Sequence, residues 1–308
     1  MADVIISKKR FERFSDDDIN KLISKKVPLF FAESELNYAT TDDLEEYWEL
    51  GDISFGYQDV TFFDDGKHFD PEIHKTPLVG NLFFVPSLLL QELSNYNKPL
   101  DFDVLDDDSK SIKMESYTAR YYYKLLPIFS YINSLPYLSV VTIPGLGCGA
   151  FSGEFHNLQF YLYNAIKHIL RYNHFDYIEG FIFDGYDTVS NSEIRVNGNL
   201  LLSRPFIDNH KGQLTSPEKW DERFSDCVLS SIVAWDHGSW PGNVFYNNIR
   251  KTDDGVKAAA SNIMSIITNN DGYYDSKVKK YMPKNYQKWL DIVNDKHLTL
   301  NYKTIERL

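Results

Sequence analysis

Residues 138–153 read Leu-Ser-Val-Val-Thr-Ile-Pro-Gly-Leu-Gly-Cys-Gly-Ala-Phe-Ser-Gly, and the fold turns on how this stretch is parsed. The apolar, β-branched run of Val140, Val141 and Ile143 predicts a buried strand. Pro144 stops it, glycines stand at 145, 147, 149 and 153, and a helical pattern resumes from about Asn157. Strand, glycine loop and helix in that order aim backbone N–H groups and a helix N-terminus at an anion. Glycine suits the task because it turns through positive φ and brings no Cβ against a phosphate. The spacing lacks both the Gly-Lys-Ser/Thr of a P-loop and the Gly-x-Gly-x-x-Gly of a dinucleotide fingerprint. Phe151 closes the loop instead. A phosphate cradle and an ordinary tight turn are the two readings of this stretch alone.

Outward from it, Tyr117 to Asn133 repeats at helical spacing through Tyr121, Leu125, Ile128 and Ile132. After the loop, Leu158, Leu162, Ala165 and Ile169 make an amphipathic helix. Residues 177–184 form a second buried strand, so helix, strand, loop, helix, strand implies an α/β fold with a parallel sheet. Residues from about 187 to 225 read as an insertion, with Asn197-Gly198 as a hairpin turn. Leu229 to Ala234 is a third strand, Asp253 to about Thr268 a helix, and Tyr286 to Val293 a further amphipathic helix. Residues 1–80 are polar and acidic, with helix starts at Asp16 and Thr41 and a turn at Asp65-Gly66. They are expected to be an extension packed on a domain spanning 81–308.

The 308-residue chain carries a net charge of −12, which argues against nucleic-acid wrapping and against docking on anionic membranes. Backbone amides can still supply positive potential for one small phosphate. The two cysteines, Cys148 and Cys227, make no disulfide framework and fit a reducing, cytoplasmic compartment. Cys148 lies in the loop without a neighbouring cation to activate it, so a structural thiol is favoured over a nucleophile. The first residues hold too short an apolar run for a signal peptide. His68, Asp70 and His74 match no metal-ligand spacing and read as scattered surface groups, so no metal is expected.

A second loop has the look of a site. The third strand runs into Asp236-His-Gly-Ser-Trp-Pro-Gly-Asn243, followed by Thr252-Asp253-Asp254-Gly255 at a helix start. Open α/β sheets bind ligands beyond the carboxyl ends of their strands. Asp236 sits at such an end and has no capping duty. Asp253 is equally explained as first-turn helix chemistry beside a Thr252 cap. A diphosphate on the glycine loop and carboxylates at a sugar carbon are the parts needed to hydrolyse a bond at a ribose, through an oxocarbenium-like state.

The stretch 140–153, with its helix and the strand ending Phe181-Ile-Phe-Asp-Gly-Tyr186, resembles the phosphate-binding region of macrodomains. That family binds ADP-ribose, and several branches cleave it from proteins. The unit that comes first in ordinary macrodomains is similar to the one that comes last here, Ile232 to Ala260. The order therefore resembles the atypical, circularly permuted macrodomain hydrolases typified by the bacterial effector MavL, which act on ADP-ribosylated arginine, notably on ubiquitin. The resemblance covers roughly residues 115–270. It implies a three-layer α/β/α fold with a mixed, largely parallel central sheet. It also implies an ADP-ribosylhydrolase without a cofactor, acting on a modified protein side chain in the cytoplasm, or in a host cytosol for a secreted effector. A reader that binds ADP-ribose without cleaving it is the alternative. By position, Gly145, Leu146, Gly147, Cys148, Gly149 and Ala150 would hold the diphosphate, and Phe151 would pack on the distal ribose. Tyr186 or Phe183 would stack near adenine, and Asn243 would complete the binding set. Asp236 would replace a ribose-binding Asn, with Asp253 and Asp254 beside the scissile bond and Asp254 the acid/base. The familiar Asn pair is absent, and Val244 stands where effector-type proteins are expected to carry an acid.

Overall fold

Strand β4 (Ser139–Ile143), the core of the quoted stretch, lies near the middle of a nine-stranded sheet ordered β11-β1-β2-β3-β8-β4-β5-β7-β6. The computed structural model describes residues 2–8, 12, 14–26, 41–92, 99–106, 108, 110–186, 189–206, 208–242, 250–285, 291 and 302–307. The strands are β1 (Ala2–Ile6), β2 (Ser54–Asp64), β3 (Ile73–Pro86), β5 (Ile178–Phe183), β6 (Ser192–Val196), β7 (Asn199–Ser203), β8 (Val228–Trp235) and β11 (Tyr302–Arg307). Strands β9 (Gly272–Asp275) and β10 (Lys280–Pro283) form a separate hairpin. The run β3-β8-β4-β5-β7 is parallel throughout. Antiparallel pairs join β1 to β2, β2 to β3 and β6 to β7. The sheet is thus mixed and largely parallel, as expected.

The alternation of strand side chains splits the interior into two cores. Val140, Ile182, Leu202 and Val233 face one, while Val141, Ile143, Phe181, Phe183 and Ile232 face the other. The second core is covered by α3 (Met114–Asn133) and α4 (Leu158–Tyr172), which bury Tyr121, Leu125, Ile128, Leu162 and Ile169 at the predicted spacing. The first is covered by α1 (Asp16–Ser24), through Ile19, Leu22 and Ile23, and by α5 (Asp253–Ala260) with α6 (Ile263–Thr268). Helix α2 (Thr41–Leu50) adds Leu50 to the first core. A capping box between Ser15 and Asp18 starts α1. Three layers result.

Two expectations are revised. The boundary near residue 80 falls inside β3, and β1 and β2 belong to the main sheet. The polar composition of the first 80 residues hid an inward face of Phe55, Tyr57, Val60 and Phe62, which pairs with β3 as a long hairpin. The helix expected over Asp253–Thr268 is broken. Ser261 is extended (φ −140°, ψ 173°) and bridges Phe62, while the side chain of Asn262 accepts from the Thr61 N–H at 2.9 Å. The edge of β2 competes there for backbone groups that a continuous helix would use. The insertion's hairpin exists, with Asn197 and Gly198 both at positive φ, and β7 extends the sheet beside β5. The helix expected at 286–293 lies, but for Asp291, outside the described residues. Among the described residues no helix is long and apolar enough to cross a membrane.

Candidate functional site

Because β3, β8, β4, β5 and β7 are parallel, their carboxyl ends share one edge of the sheet, where open α/β folds bind ligands. The chain leaves them through Ser87, Asp236, Pro144, Asp184 and Phe206, and these residues line a cleft of two adjoining halves of about 610 Å³ each. The inner half is walled by Gly145, Gly147, Gly149, Ala150 and Phe151 on one side and by Asp236, Asp253 and Asp254 on the other. The outer half is walled by Asp184, Phe206, Lys211, Gln213 and Lys257. His68, Pro144, Tyr186 and Asp253 line both, so the halves meet at these four side chains.

The glycine loop is held from behind. Tyr121 donates its hydroxyl to the Leu146 carbonyl at 2.7 Å, and the Leu146 side chain is fully buried. The N–H groups of Leu146 and Cys148 are spent inside the loop, on the carbonyls of Pro144 (2.8 Å) and Gly145 (3.0 Å). Among the described residues nothing accepts from the N–H groups of Gly147, Gly149 or Ala150, which remain for a ligand. Gly147 has φ +72°, and a Cβ there would stand 2.9 Å from the Leu88 carbonyl oxygen. At Gly149 a Cβ would meet nothing within 4 Å, so this backbone faces open cleft. Helix α4 starts only at Leu158, after a short 3₁₀ turn at Ala150–Ser152 and a left-handed Asn157, and its N-terminus does not line the cleft. Loop amides, not the helix end, present the positive potential.

Opposite the loop, α5 begins under a Thr252 cap, with the threonine side chain accepting from Gly255 N–H. Asp253 is therefore free of capping duty. One of its carboxylate oxygens accepts from the Ala234 N–H at 2.7 Å, and the other is ion-paired with buried Lys257 one turn on. Asp254 accepts from the Thr252 hydroxyl and its own helix's Gly255 N–H, both at 2.9 Å, and lines the cleft. Asp236 follows Trp235 at the end of β8. Below it, the buried Lys26 ammonium donates to the His237 carbonyl at 2.6 Å and lies 4.0 Å from the centre of the Trp235 ring. Burial lowers the pKa of Lys26 to about 7, against the opposing pull of Asp236. The ring of His237 stacks on Phe151 and packs on Gly51, tying the second loop to the first.

In the outer half, Asp184 accepts from the N–H groups of Tyr186 (3.1 Å) and Phe206 (3.2 Å). Burial pushes its carboxyl up to about 6, in spite of those two bonds. The Gln213 side chain is almost wholly buried, and among the described residues neither its oxygen nor its nitrogen has a hydrogen-bond partner. A donor and an acceptor side by side, flanked by Phe206 and Tyr186, suit the edge of a flat heterocycle.

Most of the residues expected from sequence converge. Gly145, Gly147, Gly149, Ala150, Phe151, Tyr186, Asp236, Asp253 and Asp254 share one cleft. Phe183 does not; it is fully buried against Tyr163 in the core, because the strand still alternates at that position. Leu146 offers neither a free amide nor an exposed side chain, for the reasons given above. The Cys148 thiol is pushed up by burial and by Asp184, which keeps it protonated and removes it as a nucleophile. Asn243 and Val244 lie outside the described residues. Sequence reading missed Gln213 and took His68 for a scattered surface group, and both reach the cleft through long-range pairing; it also missed Lys26, buried against Trp235 and the His237 carbonyl. Lys257 carried a signal, its i,i+4 spacing from Asp253. Among the described residues no cluster of His, Cys, Asp or Glu could hold a metal.

The family model described as "Macrodomain effector MavL" matches residues 6–287. No curated protein matches the chain.

Proposed function

Since the chain belongs to the family of the macrodomain effector MavL, and so to proteins of ADP-ribose chemistry, we propose that it is an ADP-ribosylhydrolase acting on arginine side chains of proteins. One observation carries this reading: unspent loop amides and three carboxylates face each other across a single cleft. In the proposed complex the diphosphate takes the N–H groups of Gly147, Gly149 and Ala150. Adenine lies in the outer half, its edge on the Gln213 amide and its face near Tyr186 and Phe206. The distal ribose lies over Phe151, between the loop and the acids.

Cleavage breaks the bond between the anomeric carbon and the guanidine nitrogen. Water supplies its hydroxyl to that carbon and a proton to the departing guanidine. Asp254 is the group proposed to take the water's proton and pass one to the nitrogen, from its place on the cleft wall beside the Thr252 hydroxyl, whereas Asp253 is committed to the Ala234 N–H and Lys257. Asp236 would hold ribose hydroxyls. Carboxylates here also stabilise the oxocarbenium-like centre. The net charge of −12 favours arginine-bearing, basic targets, and ADP-ribosylated ubiquitin is the first to try.

The test pairs calorimetry using ADP-ribose with release from an ADP-ribosylated arginine peptide. Wild type is expected to bind and to release. Asp254→Ala is expected to bind similarly and to release at least about 100-fold more slowly, the scale of a lost acid/base. Binding by wild type without release from any linkage would make the protein a reader. Absence of binding would end the ADP-ribose reading.

A further inference from the structure

His68 stands where the two halves of the cleft meet, yet the chemistry above gives it no task. It is delivered by the connection between β2 and β3, far in sequence from both loops. That connection is anchored. The Asp65 carbonyl accepts from Leu214 N–H at 2.9 Å, the Gly66 N–H donates to Asp64 at 2.9 Å, and the Lys67 carbonyl accepts from the Arg250 guanidinium at 2.9 Å. Arg250 is itself ion-paired with buried Asp64.

The ring's tautomer follows from one contact. Nδ1 lies 2.9 Å from the Arg250 carbonyl oxygen, which can only accept, so Nδ1 carries the hydrogen. In a neutral imidazole the lone pair is then on Nε2. Among the described residues nothing bonds to Nε2. The charged groups acting on the ring are Asp253, which favours protonation, and Lys257 and Arg250, which oppose it. Lys67 and Asp70 from its own connection, Asp184 from the end of β5, Lys251 just before α5 and Asp254 in its first turn line the same cleft. Partial desolvation of the ring at the cleft wall outweighs Asp253 and holds His68 below the usual histidine range, so it is neutral near pH 7.

We propose that His68 is a ligand-binding residue whose Nε2 accepts a hydrogen bond from a hydroxyl of the adenosine ribose. The placement rests on the ADP-ribose reading. With the base in the outer half and the diphosphate on the glycine loop, the sugar between them lies at the junction that His68 lines. The β2–β3 connection thus forms a third wall of the site.

The experiment is calorimetry with ADP-ribose, ADP and 2′,3′-dideoxy-ADP on wild type, His68→Asn and His68→Gln. Asn can keep the donor to the Arg250 carbonyl but withdraws the acceptor from the cleft. Gln places a side-chain amide near the position of Nε2. Wild type is expected to prefer ADP over its dideoxy form by about 3- to 10-fold, the scale of one hydrogen bond. Asn is expected to erase that preference and Gln to restore part of it, with thermal midpoints showing that both variants fold. Wild type binding ADP-ribose with the preference unchanged in His68→Asn, or with no preference at all, would overturn the His68 contact and leave the wider reading intact. Failure of wild type to bind ADP-ribose would overturn both.

Discussion

Asp253 and Asp254 are neighbours in sequence with different surroundings. Asp253 neutralises Lys257, whose side chain is 1% exposed, whereas Asp254 bonds a hydroxyl and a backbone amide at the cleft wall. Asp253→Ala leaves a buried ammonium unpaired and is expected to cost about 3 kcal/mol in urea unfolding. Asp254→Ala should cost under about 1 kcal/mol, and equal losses would contradict the distinction. Asp184 gives a pH signature. Its carboxyl titrates at about 6 in the fold against 3.8 as its ordinary value. Between those values the native state holds the extra proton, so stability falls as pH rises through the window, and the whole penalty is present above about 6. Asp184→Asn removes the ionisation. It should therefore stabilise by about 1–2 kcal/mol at pH 8 and by almost nothing at pH 4, on the scale of 1.36 kcal/mol per pH unit. A gain independent of pH would exclude this cause. Asp236 was legible in sequence because a carboxylate ending an apolar strand has no helix-capping duty to explain it. Gln213 was not, since its place is set by Thr142 of β4, whose hydroxyl donates to the Gln213 carbonyl, and by Asp65, which takes the next N–H, and a lone glutamine in a polar loop carries no periodicity.

The glycine loop is the element on which function and architecture make separable demands. Gly147 is needed by the chain: its φ is +72° and the Leu88 carbonyl blocks a Cβ. Gly149 faces the open cleft. Gly147→Ala is therefore expected to lose about 1–3 kcal/mol of stability. Gly149→Glu should keep the urea midpoint near wild type while abolishing ADP-ribose binding, because a carboxylate then occupies the diphosphate's place. A Gly149→Glu protein that binds normally would remove the loop from the site. Strand, loop and helix were legible here from the β-branched run, the glycine spacing and the apolar stripe of α4. The start of α4, read at about Asn157 and found at Leu158, was legible as well. The break at Ser261 was not, because it depends on Thr61 and Phe62 at the edge of β2.

At the scale of the molecule, the first 80 residues support the site in three ways. They supply β1 and β2 to the sheet, the β2–β3 wall to the cleft, and Lys26 and Asp52 to a buried set of charges. In that set Lys124 pairs with Asp52, and Arg120 with Asp101 at 2.5 Å. Lys26 holds the segment carrying Asp236, its own carbonyl accepting from the Trp240 indole at 2.7 Å. A chain truncated to residues 81–308 loses half of β3 and the inward face of β2, and it is expected to show no cooperative thermal transition by circular dichroism. A soluble fragment that melts cooperatively would restore the view of these residues as an appendage. Composition concealed their role, because half-buried strands in an acidic stretch average to a polar segment. The pairing of β1 with β11 carries a consequence for biosynthesis. Ala2 stands beside Tyr302, so β1 must wait for a mate made 300 positions later. At about 5–20 residues per second that is roughly 15–60 s on the ribosome. A nascent chain that stalls before this point exposes an open sheet rim, which is what chaperones and quality-control proteases engage.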